Sequence, residues 1–298
     1  MSFIKKSKAP IKIISLFFLV YGSLITTDTT AQKTKSEDRP SAHKKEKKAP
    51  EKDDKSSKIS VSAGAGIANY FGDLLQYNRF LSQPGFAASA GVSYAFAKQF
   101  STSIDVGFQQ VKAADRNNKG TQYKERNLSF KSNIFDVSAS ASFNLLNMNK
   151  YTFSPYISAG VGVLFFNPYA NDPSGKKQYL RELGTEGQGL AGKPGLYSKT
   201  SVIVPVGFGF KYAAGKKIIL QLDFSYRFTG TDYLDDVSNN SYPDKALLDA
   251  RNPTTAKFTW RGNEVGGEPY PKNLALPRGN PDDKDGYYTT RFKVAFNL

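Results

Sequence analysis

From residue 59 onward, apolar and polar residues alternate with a period of two, and the pattern recurs eight times. Successive side chains on a strand point to opposite faces, so each stretch sorts into an apolar face and a polar one. The first sets Ile59, Val61, Ala63, Ala65 and Ile67 against Ser60, Ser62, Gly64 and Gly66. The fourth sets Phe135, Val137, Ala139, Ala141, Phe143 and Leu145 against Asp136, Ser138, Ser140, Ser142 and Asn144. The seventh sets Ile218, Leu220, Leu222, Phe224, Tyr226 and Phe228 against Gln221, Asp223, Ser225 and Arg227. The last sets Tyr288, Thr290, Phe292, Val294, Phe296 and Leu298 against Thr289, Arg291, Lys293 and Asn297. The other four lie at 86–96, 103–109, 157–165 and 202–212. Each spans about the 9–11 residues with which a tilted strand crosses a bilayer.

A soluble sandwich alternates too, so three further features decide. The polar faces carry Asp105, Asp136, Asp223, Arg227, Arg291 and Lys293 among many Ser and Gly, which suits a narrow polar lumen and not a dry core. Aromatics gather at strand ends, as in interfacial girdles: Tyr94, Phe96, Phe100, Phe143, Tyr156, Tyr212 and Phe296 at one end, and Phe86, Phe108, Phe165, Phe228 and Tyr288 at the other. Connections alternate between short turns (97–99, 146–151, 213–217) and long loops (70–84, 113–127, 167–197, 230–286). The predicted fold is therefore all-β: an eight-stranded antiparallel transmembrane outer-membrane β-barrel with long extracellular loops and both termini periplasmic. Eight strands leave an interior that side chains fill, so the inward Asp, Arg and Lys residues are expected to pair as a plug.

The N-terminus fits export. Lys5, Lys6, Lys8 and Lys12 precede a 13-residue apolar core at 13–25 and a small-residue exit at Ala31. That is the layout of a signal peptide, and the core is too short to span as a helix. Residues 32–58 hold ten Lys or Arg and six Asp or Glu with no apolar side chain larger than Ala or Pro, which reads as a disordered Lys-rich periplasmic linker. The expected organisation is 1–31 signal peptide, 32–58 linker and 59–298 barrel.

The chain has no Cys, and its single His, His43, lies in the linker. Thiolate metal sites and a His-based triad therefore have no parts. The net charge of +15 is spread along the chain, and an exported barrel meets no genome, so nucleic acid is not expected as a partner. The barrel also lacks the His base that lipid acyltransferases and deacylases use beside a Ser. The reading is a non-enzymatic protein without cofactor or small-molecule substrate, with outer-membrane lipid as its surroundings.

The loop at 230–286 is too long for an idle connection. It holds the only Trp, Trp260, together with Tyr233, Tyr242, Phe258 and Tyr270, and Tyr287 follows directly after it. That content predicts a folded cap over the barrel mouth. The candidate rim motif is Thr231, Asp232, Tyr233, Asp235, Asp236, Arg278, Gly279 and Asp285, in which the Asp run on entry meets Arg278 on exit as a partly exposed pair. Three carboxylates in five residues are also calcium-like chemistry, but the spacing does not match the EF-hand loop, and Asp is a common turn former. No metal is expected.

Several stretches are similar to a Bacteroidota family of outer-membrane barrels, the PorG-like proteins of the type IX secretion system. They are Asn69-Tyr70-Phe71-Gly72-Asp73-Leu74, the run from Leu183 to Gly189, and Tyr226-Arg227 leading into Thr231-Asp232-Tyr233-Leu234-Asp235-Asp236-Val237-Ser238. Arg278-Gly279-Asn280 before Asp285 and Tyr287 completes the set. The resemblance implies a structural component that anchors the periplasmic ring proteins of that machine. The alternative is a general envelope barrel whose extracellular loops bind a surface ligand or partner.

Overall fold

The computed structural model describes residues 58–75, 83–118 and 120–298. The signal segment 1–31 and all but the last residue of the 32–58 segment lie outside them. Among the described residues nine strands form: β1 (Ile59–Phe71), β2 (Gly85–Ala95), β3 (Phe100–Ala114), β4 (Ser129–Asn144), β5 (Phe153–Asn171), β6 (Lys177–Tyr179), β7 (Thr200–Ala213), β8 (Ile218–Thr229) and β9 (Gly286–Asn297). Eight of them close into one antiparallel ring, β1-β2-β3-β4-β5-β7-β8-β9 and back to β1. The three-residue β6 folds back on the far end of β5, pairing Tyr179 with Tyr169. At the seam the Leu298 N–H donates to the Ile59 carbonyl at 3.0 Å. The ring has no free edge, as a bilayer requires.

The face assignments follow the alternation. Ile104, Val161 and Val202 on the outer wall are 63%, 65% and 64% exposed, a degree of apolar exposure suited to hydrocarbon and not to water. The inward set pairs within itself. Lys293 Nζ reaches Asp105 at 2.8 Å, Arg291 reaches Asp223 at 2.9 Å, and Arg227 Nε lies 3.2 Å from Asp136. Two of the three pairs bridge strands that are not neighbours, β9 to β3 and β8 to β4, so they tie the wall across the lumen. The Tyr287 hydroxyl and the Gln109 amide also donate to Asp136.

Three strands are longer than their periodicity suggested. β3 continues to Ala114, β4 starts at Ser129, and β5 runs from Phe153 to Asn171. The loops expected at 113–127 and 167–197 are correspondingly trimmed. The cause is an inversion of chemistry at constant parity. Phe108, Phe135 and Phe165 pair in register as an outward aromatic row. Beyond that row the outward positions turn polar (Gln110, Lys112, Asn133, Lys131), while Val111, Ile134 and Phe166 point inward and are buried. The strands leave the lipid at the aromatic row and continue as the wall of a water-facing chamber with an apolar inside.

One aromatic was misplaced by its position alone. Tyr156 was expected in the girdle, yet it points into the lumen, where its hydroxyl donates to Asp223 at 2.9 Å. A phenol can sit in a polar lumen when a carboxylate accepts its hydrogen bond.

Candidate functional site

The four long connections, at 72–84, 115–128, 172–199 and 230–285, all leave from the chamber end. Leu74, Leu128, Leu180, Leu183, Leu234, Val237 and Phe258 from these loops join the inward apolar residues of β3, β4 and β5 in one core. The longest loop adds two short helices, Lys245–Arg251 and Pro253–Thr259. Asp244 caps the first by accepting the Ala246 N–H at 2.7 Å, and Asn252 caps the second by accepting that of Thr254 at 2.9 Å. Tyr242, Leu248, Ala256, Trp260 and Tyr270 pack under them as a second core.

Beneath this cap sits a polar node. Arg278 is 2% exposed and works as its hub. Its guanidinium donates to Glu186 at 2.7 Å, to the Asp236 carbonyl at 2.8 Å and to the Thr185 hydroxyl at 3.1 Å. Glu186 also accepts the Ser238 and Asn239 N–H groups at 2.9 Å each. Asp236 accepts from Thr185 and, at 2.7 Å, from Tyr197. It sits at φ +69°, a left-handed conformation that Asp tolerates better than most residues. The Arg278 carbonyl accepts from Arg126, which forms a bidentate pair with Asp115 at 2.7 Å.

A second part of the node lies around Tyr70. Its hydroxyl is 2.6 Å from Asp235 Oδ2 and 2.8 Å from Asp285 Oδ1. A phenol has one hydrogen to donate, so one contact needs a proton on the other carboxyl. Backbone N–H groups hold the remaining oxygens, from Val237 to Asp235 and from Leu234 to Asp285, both at 2.8 Å. Asp73 accepts the Asn280 N–H at 2.9 Å. A Cβ on Gly279 would meet the Asp73 carboxylate and the Ser238 backbone, which explains the glycine there.

The rim motif is thus drawn together, with two differences from expectation. Arg278 pairs first with Glu186, and its contact with the Asp236 carboxylate is a looser 3.8 Å. The pair is wholly buried, because the cap closes over it, where the sequence suggested partial exposure. Thr231 accepts the Asp285 N–H at the loop base, and Tyr233 stacks on Tyr197 with centroids 4.3 Å apart. Asp232 is buried and keeps one oxygen without a hydrogen-bond partner. Glu186 and Tyr70 lay within the family-like stretches but were not singled out as site residues. Asp115 and Arg126 carried no signal beyond being opposite charges in one loop. Among the described residues no three acidic or His side chains converge to hold a metal ion.

Burial raises five of the node's carboxyls, those of Asp73, Asp232, Asp235, Asp236 and Asp285. Asp232 and Asp236 are pushed up to about 7, Arg278 opposing the rise at Asp236. Asp73 is pushed up to about 6. Asp235 and Asp285 stand well above the ordinary range, through burial first and then neighbouring carboxylates. A carboxyl with a raised folded pKa contributes stability that is complete below its ordinary value near 4 and is lost as pH rises through the folded one. The cap should therefore be tightest in mild acid and loosen between about pH 4 and pH 7. Limited proteolysis of residues 239–284 should accelerate across that range, and Asp232→Asn should flatten the upper part of the profile.

Residues 47–245 match the outer membrane protein beta-barrel domain. The chain belongs to that family. The barrel is an outer-membrane protein. Among solved structures it is similar to Neisserial surface protein A at 13% identity and TM-score 0.41, covering 82% of this chain and 99% of that one. It is also similar to the N-terminal barrel of Pseudomonas aeruginosa OprF (12%, TM-score 0.34, covering 80% and 97%). A further likeness is to the outer membrane enzyme PagL (14%, TM-score 0.30, covering 80% and 99%). No curated protein matches the chain.

Proposed function

We propose that this barrel is a non-enzymatic scaffold of the outer membrane, a component of the type IX secretion system that anchors the periplasmic ring proteins. The observation that carries the reading is the convergence of every family-like stretch on one node. Tyr70 and Asp285, 215 positions apart, share a hydrogen bond, and Arg278 joins Glu186 from 92 positions away. Stretches that touch in this way specify one shape, and that shape is what the resemblance carries over. The lumen, crossed by paired charges, suits an anchor better than a pore.

In this reading the short turns face the periplasm and the cap faces outward. The turn end supplies docking chemistry: Lys58, Lys98, Lys150, Lys216 and Lys217 stand there, and the turns at 96–99, 145–152 and 214–217 contain no Asp or Glu. Such a surface attracts an acidic face on a periplasmic partner. The second reading, a barrel whose loops bind a surface ligand, draws on Leu247, Val265 and Leu276, which are exposed on the cap.

Cross-linking in intact cells, followed by tag purification of the full chain from detergent extracts, tests the proposal. Ring components should co-purify, and replacing Lys216 and Lys217 by Glu should deplete them. Recovery of extracellular or surface partners alone would favour the second reading. Orientation is tested separately: the chain lacks Cys, so Ser174→Cys should be labelled from outside by an impermeant maleimide.

A further inference from the structure

The tall wall above the aromatic row is layered in a way the anchoring role does not use. Its outward rows run across β3, β4 and β5 in register. The lowest is Phe108–Phe135–Phe165, the next Gln110–Asn133–Asn167, and the third Lys112–Lys131–Tyr169, continued by Tyr179 on β6. Lys112 and Lys131 are direct cross-strand partners. Like charges placed so are destabilising unless something between them is negative. Neither has a carboxylate within ion-pair distance among the described residues. The nearby carboxylates are engaged: Asp172 accepts from Ser174 and from the Lys176 N–H, and Glu182 accepts from Lys199 and Asn167. A third ammonium, Lys177, sits 3.7 Å from the centroid of the Tyr169 ring and 4.9 Å from that of Tyr179. In the row below, Asn167 keeps a buried carbonyl oxygen with no hydrogen-bond partner.

We infer that this wall binds the phosphate-bearing headgroup of an outer-leaflet glycolipid, with Lys112, Lys131 and Lys177 facing its phosphates and the amide row facing its sugar hydroxyls. The inference rests on the outward orientation of the cap proposed above. Height supports it. Lys112 and Lys131 lie four residues beyond the aromatic row, roughly 13 Å along a strand and about 10 Å along the membrane normal after tilt. Long lysine stems can reach back from there into the headgroup layer. The rows thus match the layers of a phosphorylated glycolipid: the acyl boundary first, then the sugar headgroup with the phosphates it carries. Only β3, β4, β5 and β6 rise this far, so the headgroup is held on one side of the barrel.

Native mass spectrometry of the full chain in detergent tests this, and its readout does not depend on orientation. The probes are lipid A and lipid A stripped of its phosphates. Wild-type protein should retain the phosphorylated form alone. Lys112→Gln/Lys131→Gln should lower retention on the order of tenfold, while Lys216→Gln/Lys217→Gln at the turn end should leave it unchanged. Lys177→Gln, on a strand outside the closed ring, gives a second loss that cannot come from barrel unfolding. Equal retention by wild type and the Lys112/Lys131 variant, equal retention of dephosphorylated lipid, or displacement by millimolar inorganic phosphate would overturn the inference. If the Ser174→Cys label is inaccessible from outside while lipid A is still retained, the orientation fails and the binding surface stands.

Discussion

Replacing Arg278 by alanine should open the loop cap while leaving the barrel closed. The guanidinium is buried and ties two loops together: it meets Glu186 and Thr185 of one and the Asp236 carbonyl of another part of its own loop, while the backbone carbonyl that accepts from Arg126 survives the substitution. Removing it strands the Glu186 carboxylate, one of whose oxygens already lacks a partner. Breaking a buried pair from one side costs about 3–5 kcal/mol, a large share of what a loop assembly of this size can hold. Cleavage between residues 239 and 284 should become rapid in intact membranes, while the barrel keeps its heat-modifiable migration on gels. Adding Glu186→Gln should recover part of the protection, because the uncompensated charge is then gone. A cap as resistant as wild type in the single variant would mean the apolar cores alone hold it.

The second large effect is expected inside the lumen. Asp136 is 1% exposed and accepts from Gln109 and Tyr287 while facing Arg227. Asp136→Ala leaves that guanidinium buried without its direct ion-pair partner, again at about 3–5 kcal/mol. The midpoint of denaturant unfolding in lipid vesicles should fall accordingly. Lys293→Ala should cost less, since its partner Asp105 is 17% exposed and can be hydrated. Equal shifts for the two variants would argue against the burial gradient along the lumen.

The barrel was legible in the sequence because alternation is local. β1 begins at Ile59, as its first outward apolar residue indicated, and each membrane-facing stretch has its pair. What lay beyond the lipid was harder to read. In β3, β4 and β5 the parity persists past Phe108, Phe135 and Phe165 while the chemistry of the two faces exchanges. Polar residues such as Asn133 and Lys131 therefore fall outside the alternating stretch that starts at Phe135, although they stand on β4. The node was half legible. The Asp run and Arg278 were visible as opposite charges flanking one loop. Glu186, the nearer partner of Arg278, comes from a different loop, and no spacing rule links residues 92 positions apart. Tyr156 shows the same limit: its position suggested the girdle, and only its partner Asp223 on β8 explains why it turns inward.

The seam between β1 and β9 has a consequence for how the chain reaches this state. β9 pairs along its whole length with β1, the strand farthest from it in sequence, from Ser60–Asn297 to Phe71–Gly286. Until β9 docks between β8 and β1, the sheet is an open ribbon with two unpaired edges, and long-range closure of this kind is slow. The node inherits that delay, since Asp285 and Tyr70 meet only across the finished seam. Maturation of the cap therefore reports that assembly is complete, and a chain truncated before residue 286 should stay as an open, protease-sensitive sheet with neither end satisfied.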